Sequence, residues 1–253
     1  MCYPARVSAT SPVISPTSRR PRHSAWVRVT HWLTVVAFIA LLITGAEIVI
    51  SHPRFYWGET GNVTMRPLFT IPIPASRDSV PTGYSFQMPD ANGWGRYLHF
   101  EAAWLLVLTG LVYGVFILAS GHLRRNLLPA KGDRNWRAYR DVLMSYVRRT
   151  PPDAADASTY NAVQRAAYIA VIFVLFPLVI WTGLALSPAF NSAFPFFVDV
   201  LGGRQSARTL HFFVSGFLVL FLVIHVTMIY LAGFRSRMRA MVTGRAAATQ
   251  ERP

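Results

Sequence analysis

The chain has 253 residues, of which 53% are hydrophobic and 14% charged, and it carries a formal net charge of +14. Its apolar residues are gathered in long blocks rather than spread at amphipathic spacing, which excludes an ordinary soluble domain. The single cysteine, Cys2, excludes a disulfide framework, a thiolate metal site and an iron–sulfur cluster within this chain.

Residues 1–22 are rich in Pro, Ser, Thr and Arg and lack the apolar core of a secretory signal, so they read as a disordered cytoplasmic tail. Four apolar blocks follow, approximately Trp32–Ile50, Leu98–Ser120, Ala166–Ser187 and Thr209–Gly233. Each is long enough to cross a hydrocarbon layer, which takes roughly 20 helical residues. The first connection, residues 51–97, is longer than a link requires, and its RFYWGETGN stretch at 54–62 has the aromatic and turn character of an ordered surface. An interfacial aromatic belt is the plainer alternative.

After the second block comes HLRRNLLPAKGDRNWRAYRDVLMSYVRR, residues 122–149, in which Trp136, Tyr139, Val142, Leu143 and Tyr146 recur at helical spacing among arginines. This predicts a helix lying in the inner headgroup plane. The third block has no histidine, and Pro177 is expected to bend it. The second outer connection, 188–208, contains FPFFVDVLGG and predicts one short surface helix ended by Gly202 and Gly203. Residues 241–253 read as a second cytoplasmic tail.

Lys and Arg number 5, 4, 9, 2 and 5 on the successive segments between blocks, so alternate segments hold 19 of the 25. The positive-inside rule then places both termini and the 121–165 loop in the cytoplasm. The basic excess reads as topology and lipid headgroup contact rather than nucleic-acid binding. The fold class expected is all-α: a transmembrane four-helix bundle over residues 23–240, with a cytoplasmic interfacial helix and an extended first periplasmic loop.

Four histidines lie within the apolar helices. His211 and His225, fourteen residues apart, differ by roughly 40° around the fourth helix and by about 21 Å along it, so they face one side at two depths. His99 and His211 each follow an arginine, Arg96 and Arg208, by three residues on helices that run inward, which puts them at nearly equal depth. His31 lies about 30 Å from the outer boundary and His225 about 25 Å, a difference that helix tilt absorbs. The pairs are therefore His99 with His211 and His31 with His225. Paired neutral imidazoles bind haem iron in both oxidation states and leave no open position, so such a site moves electrons. His225 is the most telling of the four, because an unpartnered polar ring inside VLFLVIHVTMIYL is costly.

Glu101, near His99, reads either as a hydrogen-bond partner for a ligand or as a snorkelling acid. His23 and Arg28 are candidate contacts for a haem propionate or a quinone headgroup at the inner face, with ordinary lipid contact as the alternative. His52 and His122 find no partner at matching depth. Gly45, Gly110, Gly114, Gly183 and Gly216 allow close backbone packing or room for a flat porphyrin.

The stretches HSAWVRVTHWLTVVAFIALLITG at 23–45, GRYLHFEAAWLLVLTG at 95–110 and HFFVSGFLVLFLVIHV at 211–226 resemble the bacterial membrane cytochrome b family. That family includes the cytochrome b subunits of nickel–iron hydrogenase, formate dehydrogenase and thiosulfate reductase. The resemblance implies two b haems on the pairs above, in an inner-membrane subunit that passes electrons between a periplasmic catalytic partner and quinone. FYWGETGN looks most like the molybdopterin-partnered branch. Such a subunit does no other catalysis of its own, and oligomerisation is compatible with it. The rival readings are a metal or proton transporter using the same histidines, a structural anchor for a partner, and a self-contained haem enzyme, which would need an open iron position.

Overall fold

The structure, a computed structural model, describes residues 24–62, 64–72, 94–121, 136–148, 162–231 and 233–244. The 1–22 tail, His23 and His122 lie outside the described residues. Four helices are long and apolar enough to cross a membrane: Ala25–Ser51, Trp94–Ser120, Val163–Leu186 and Arg204–Leu231. Three of them begin four to seven residues ahead of the apolar blocks, with polar and aromatic residues forming their first turns. Ser24 caps α1 (Ala25–Ser51), its hydroxyl accepting from the Val27 N–H at 3.3 Å.

The third span is interrupted. It runs as α4 (Ala162–Ala170), a π turn over Val171–Leu175, and α5 (Phe176–Leu186), with the Phe176 N–H bonded to the Val171 carbonyl five residues back. Pro177 is the cause: it has no N–H and crowds the preceding turn, and a widened turn accommodates it within a continuous helix. Of the connections, α3 (Trp136–Arg148) forms the helix expected in the 122–149 segment, with Arg140 and Asp141 in an exposed ion pair at 2.9 Å. The second outer connection is two short helices, α6 (Pro188–Ala193) and α7 (Phe196–Asp199), instead of one. Phe194, kept out of the helical region at φ −137° and ψ 65° by the adjoining Pro195, separates them. The fourth span is α8 (Arg204–Leu231), and α9 (Phe234–Thr243) continues past residue 240.

Close backbone packing runs along α1 with α2 (Trp94–Ser120) and along α5 with α8. In the first pair small or polar residues are buried at seven-residue spacing, Thr30, Ala37 and Thr44 on α1 and Gly95, Ala102 and Thr109 on α2, with Leu106 and Ile117 of α2 buried beside them. That spacing keeps one face against a neighbour, and small side chains let the backbones approach where lipid gives no hydrophobic drive between helices. Gly110 and Gly114 are not in this seam: a Cβ at either would meet open space.

The end carrying residues 52–72 and 187–203 is termed the outer end, after the expectation from charge. There the first connection folds onto the start of α8. Strands β1 (Arg54–Phe55) and β2 (Phe69–Thr70) pair antiparallel, and Phe55 stacks on Phe69 at 4.7 Å while Phe212 packs tilted against both rings, at 4.6 and 5.9 Å. The Gly58 carbonyl accepts from the Gln205 and Ser206 amides, and the Glu59 carboxylate accepts from the Arg204 amide at 2.9 Å. These are the amides an α-helix N-terminus leaves without partners. At the opposite end Arg28 Nη1 and Trp32 Nε1 donate to the Val242 and Met241 carbonyls, tying α1 to the last turn of α9.

Candidate haem sites

The two helix pairs meet through histidine rings. His99 of α2 and His211 of α8 face each other with ring centres 6.3 Å apart and planes 70° apart. His31 of α1 and His225 of α8 do so at 6.5 Å and 61°. Metal–imidazole nitrogen bonds are about 2 Å, and a ring centre lies about 1 Å beyond its nitrogen, so two imidazoles on opposite sides of one metal ion have centres about 6 Å apart. Both pairs match that spacing. Among the described residues no group of three or more His, Cys, Asp or Glu could hold a bare ion. Donors that come only in pairs suit a metal whose remaining ligands are brought by a macrocycle. The residues therefore fit haem.

The surroundings of the outer pair were not legible in the histidines alone. Thr44 Oγ1 lies 2.9 Å from His99 Nδ1, and Thr182 Oγ1 lies 2.9 Å from His211 Nδ1. Each threonine is followed by a glycine that faces the same ring: a Cβ on Gly45 would stand 3.6 Å from His99 Cε1, and one on Gly183 would stand 3.3 Å from His211 Cε1. A Thr-Gly dipeptide occurs at both places, in LLITGAE and VIWTGLA, but it recurs at Thr109-Gly110, where the glycine faces open space, so the dipeptide by itself does not mark the site. Glu101 is exposed on α2, two residues and roughly 200° around from His99, so it takes no part in orienting that ring.

Another acid comes close instead. Glu47, one turn beyond Thr44, lays its carboxylate against Gly95, where a Cβ would meet Oε2 at 1.5 Å, and that oxygen is buried with no hydrogen-bond partner among the described residues. At the inner pair, Trp32 meets His31 edge-on at 5.5 Å, and Phe221 stacks on His225 at 5.5 Å and 23°. Arg28 sits at this end with one nitrogen on Val242 and its Nε buried without a partner among the described residues.

Outside the spans, His52 closes α1, and Arg208 donates to its carbonyl. Burial, then the Arg208 charge and more weakly that of Arg96, lower its pKa from the ordinary 6.5, against a smaller opposing effect of a hydrogen bond to Ile48. Arg208 also lies over the Phe55 ring, 4.9 Å from its centre. Beside it a cavity of about 510 Å³ opens between the 59–62 turn and the first turns of α8.

No solved structure matches the chain significantly. A 217-residue alignment, covering 83% of this chain and 90% of the relative, gives 33% identity to "Putative protein-methionine-sulfoxide reductase subunit YedZ1" of Azospira oryzae. A second, over 81% of this chain and 76% of the relative, gives 26% identity to "Probable Ni/Fe-hydrogenase B-type cytochrome subunit" of Cupriavidus necator. The family described as prokaryotic cytochrome b561 matches residues 22–244. A match over nearly the whole chain, to a family that accounts for both the apolar spans and the facing imidazoles, decides the question: this chain belongs to the prokaryotic cytochrome b561 family, as a multi-pass bacterial membrane cytochrome b.

Proposed function

We propose that the chain is a dihaem electron-transfer subunit, holding one haem b between His99 and His211 and a second between His31 and His225. The observation that carries this reading is the pair of facing imidazole sets, at 6.3 and 6.5 Å, bridging the two helix pairs. Haem held there would supply a one-electron iron couple, with His99 and His211 holding one group and His31 and His225 the other. The chain's residues hold the rings in place, keep water and oxygen from the metal, and set two depths so that charge can cross the bilayer in two stages.

Electrons would pass between a periplasmic oxidoreductase and the quinone pool of the inner membrane, both termini being cytoplasmic by the charge bias. Both relatives are named as subunits, one of a methionine-sulfoxide reductase and one of a hydrogenase, which supports a separate catalytic partner. The FYWGETGN segment favours a molybdopterin-type partner. The ordered 52–62 turn and the α6–α7 connection form the outer surface on which it would sit. His23 and Arg28 remain candidate contacts for a propionate or quinone headgroup at the inner end. The Arg28 Nε, without a partner among the described residues, fits an anionic or carbonyl acceptor there.

The test is a reduced-minus-oxidised visible spectrum with pyridine haemochrome quantification, repeated for His225→Leu and His99→Leu. Two b haems per chain are expected, with each variant losing one. Folded protein without haem would favour a metal or proton transporter, or a structural anchor.

A further inference from the structure

The outer imidazoles are each held by a threonine from a different helix pair, and the hydrogen-bond directions can be worked out. Thr44 Oγ1 lies 2.8 Å from the Ala40 carbonyl oxygen, and Thr182 Oγ1 lies 2.8 Å from that of Leu178. A carbonyl only accepts, so each hydroxyl gives its one proton to its own helix, four residues back. Thr44 is 0% exposed and Thr182 1% exposed, so no water competes for either. What each hydroxyl then turns toward histidine is a lone pair, 2.9 Å from Nδ1. Nδ1 must therefore carry the ring proton, which leaves Nε2 with the lone pair that binds a metal. The adjacent glycines, Gly45 and Gly183, leave the space in which Cε1 of each ring turns.

We infer that Thr44 and Thr182 are positioning residues that hold the outer imidazoles in the Nδ1–H tautomer and in fixed planes 70° apart, and thereby set the potential of the outer site. The inference rests on the haem reading above and assigns a task to the third span, which has no histidine. A ring whose Nδ1–H is accepted by oxygen is a more basic ligand and favours the ferric state. Removing the acceptor should therefore make the outer site easier to reduce.

The experiment is a redox titration of the full chain, with low-temperature EPR of the oxidised form, for wild type, Thr44→Val, Thr44→Ser, Thr182→Val and Thr182→Ser. The outer signal is identified by its loss in His99→Leu. Valine keeps the shape and removes the acceptor, whereas serine restores it. Each valine variant is expected to change the ferric-to-ferrous affinity ratio about tenfold, an upward shift of about 59 mV for a one-electron couple. The low-field g value should move as the ligand planes relax. Serine should return both to wild type, and the inner signal should stay fixed. Loss of the outer haem in a valine variant with retention in the serine variant supports the same assignment. An outer potential and g value unchanged in both valine variants, or serine variants as altered as the valine ones, would overturn it. Wild-type protein without haem would overturn the ligand reading itself, a separate result.

Discussion

At the scale of single residues, the outer site depends on space as well as on bonds. A Cβ on Gly183 would approach His211 Cε1 to 3.3 Å, closer than side chains ordinarily pack, whereas one on Gly45 would reach His99 at 3.6 Å, an ordinary contact. Gly183→Ala is thus expected to push the His211 ring by a few tenths of an ångström and to shift the outer potential, while Gly45→Ala leaves it near wild type. Potentiometry on the two variants checks the ordering, and equal effects would contradict it. The histidines themselves were legible in the sequence, because a polar ring inside a run such as VLFLVIHVTMIYL must have a partner or a task. The threonines were not. A hydroxyl in a membrane helix satisfies itself on the carbonyl four residues back, so nothing in the one-dimensional pattern shows that its second face is also in use. Glu47 stayed hidden for a related reason: only the folded pair of helices puts it against Gly95.

Between residue and molecule stand the helix ends, and the start of α8 is the most heavily fastened. Gly58 and Glu59 satisfy its first amides, Ser206 Oγ accepts from the Gly58 N–H at 2.7 Å, and the buried Thr209 hydroxyl donates to the Tyr56 carbonyl at 2.7 Å. Gly203 makes the approach feasible. It has φ +106°, and a Cβ there would fall 2.6 Å from the Glu59 nitrogen and the Gly58 carbonyl carbon, backbone atoms that cannot swing aside. Gly203→Ala should destabilise the outer end by at least ~1–2 kcal/mol from the left-handed backbone alone. It should also raise amide exchange over residues 54–60 while the inner end stays protected. Exchange unchanged from wild type would mean that the loop is held elsewhere. The sequence showed the turn residues of GETGN but not their seat, since hydropathy carries no information on which helix a polar loop will cap. The third span shows the converse. Pro177 announced an irregularity, and the π turn that results adds a residue, rotating the remainder of the helix by about 100° and so setting the face on which Thr182 and Gly183 lie.

For the whole molecule, the four spans and their order were readable from composition, because lipid demands long apolar helices. The histidines also showed which spans face the fourth, but the close packing of α1 on α2 and of α5 on α8 was not readable, since apolar faces in lipid have little preference among partners. Backbone packing joins α1 to α2 and α5 to α8, and the histidine rings join one pair to the other. A cofactor bound by both pairs stabilises only their assembled form, by about 2.7 kcal/mol for each site at a free concentration one hundred times its Kd. Cells limited in haem synthesis should therefore hold less of this chain in their membranes, the protein falling together with its haem when blot and haemochrome are compared at equal transcript. Full accumulation of haem-free chain would show that the pairs assemble unaided. If the two fall together, scarcity of iron needs no sensor or repressor to thin out these subunits: the membrane keeps as many as there are clasps to close them.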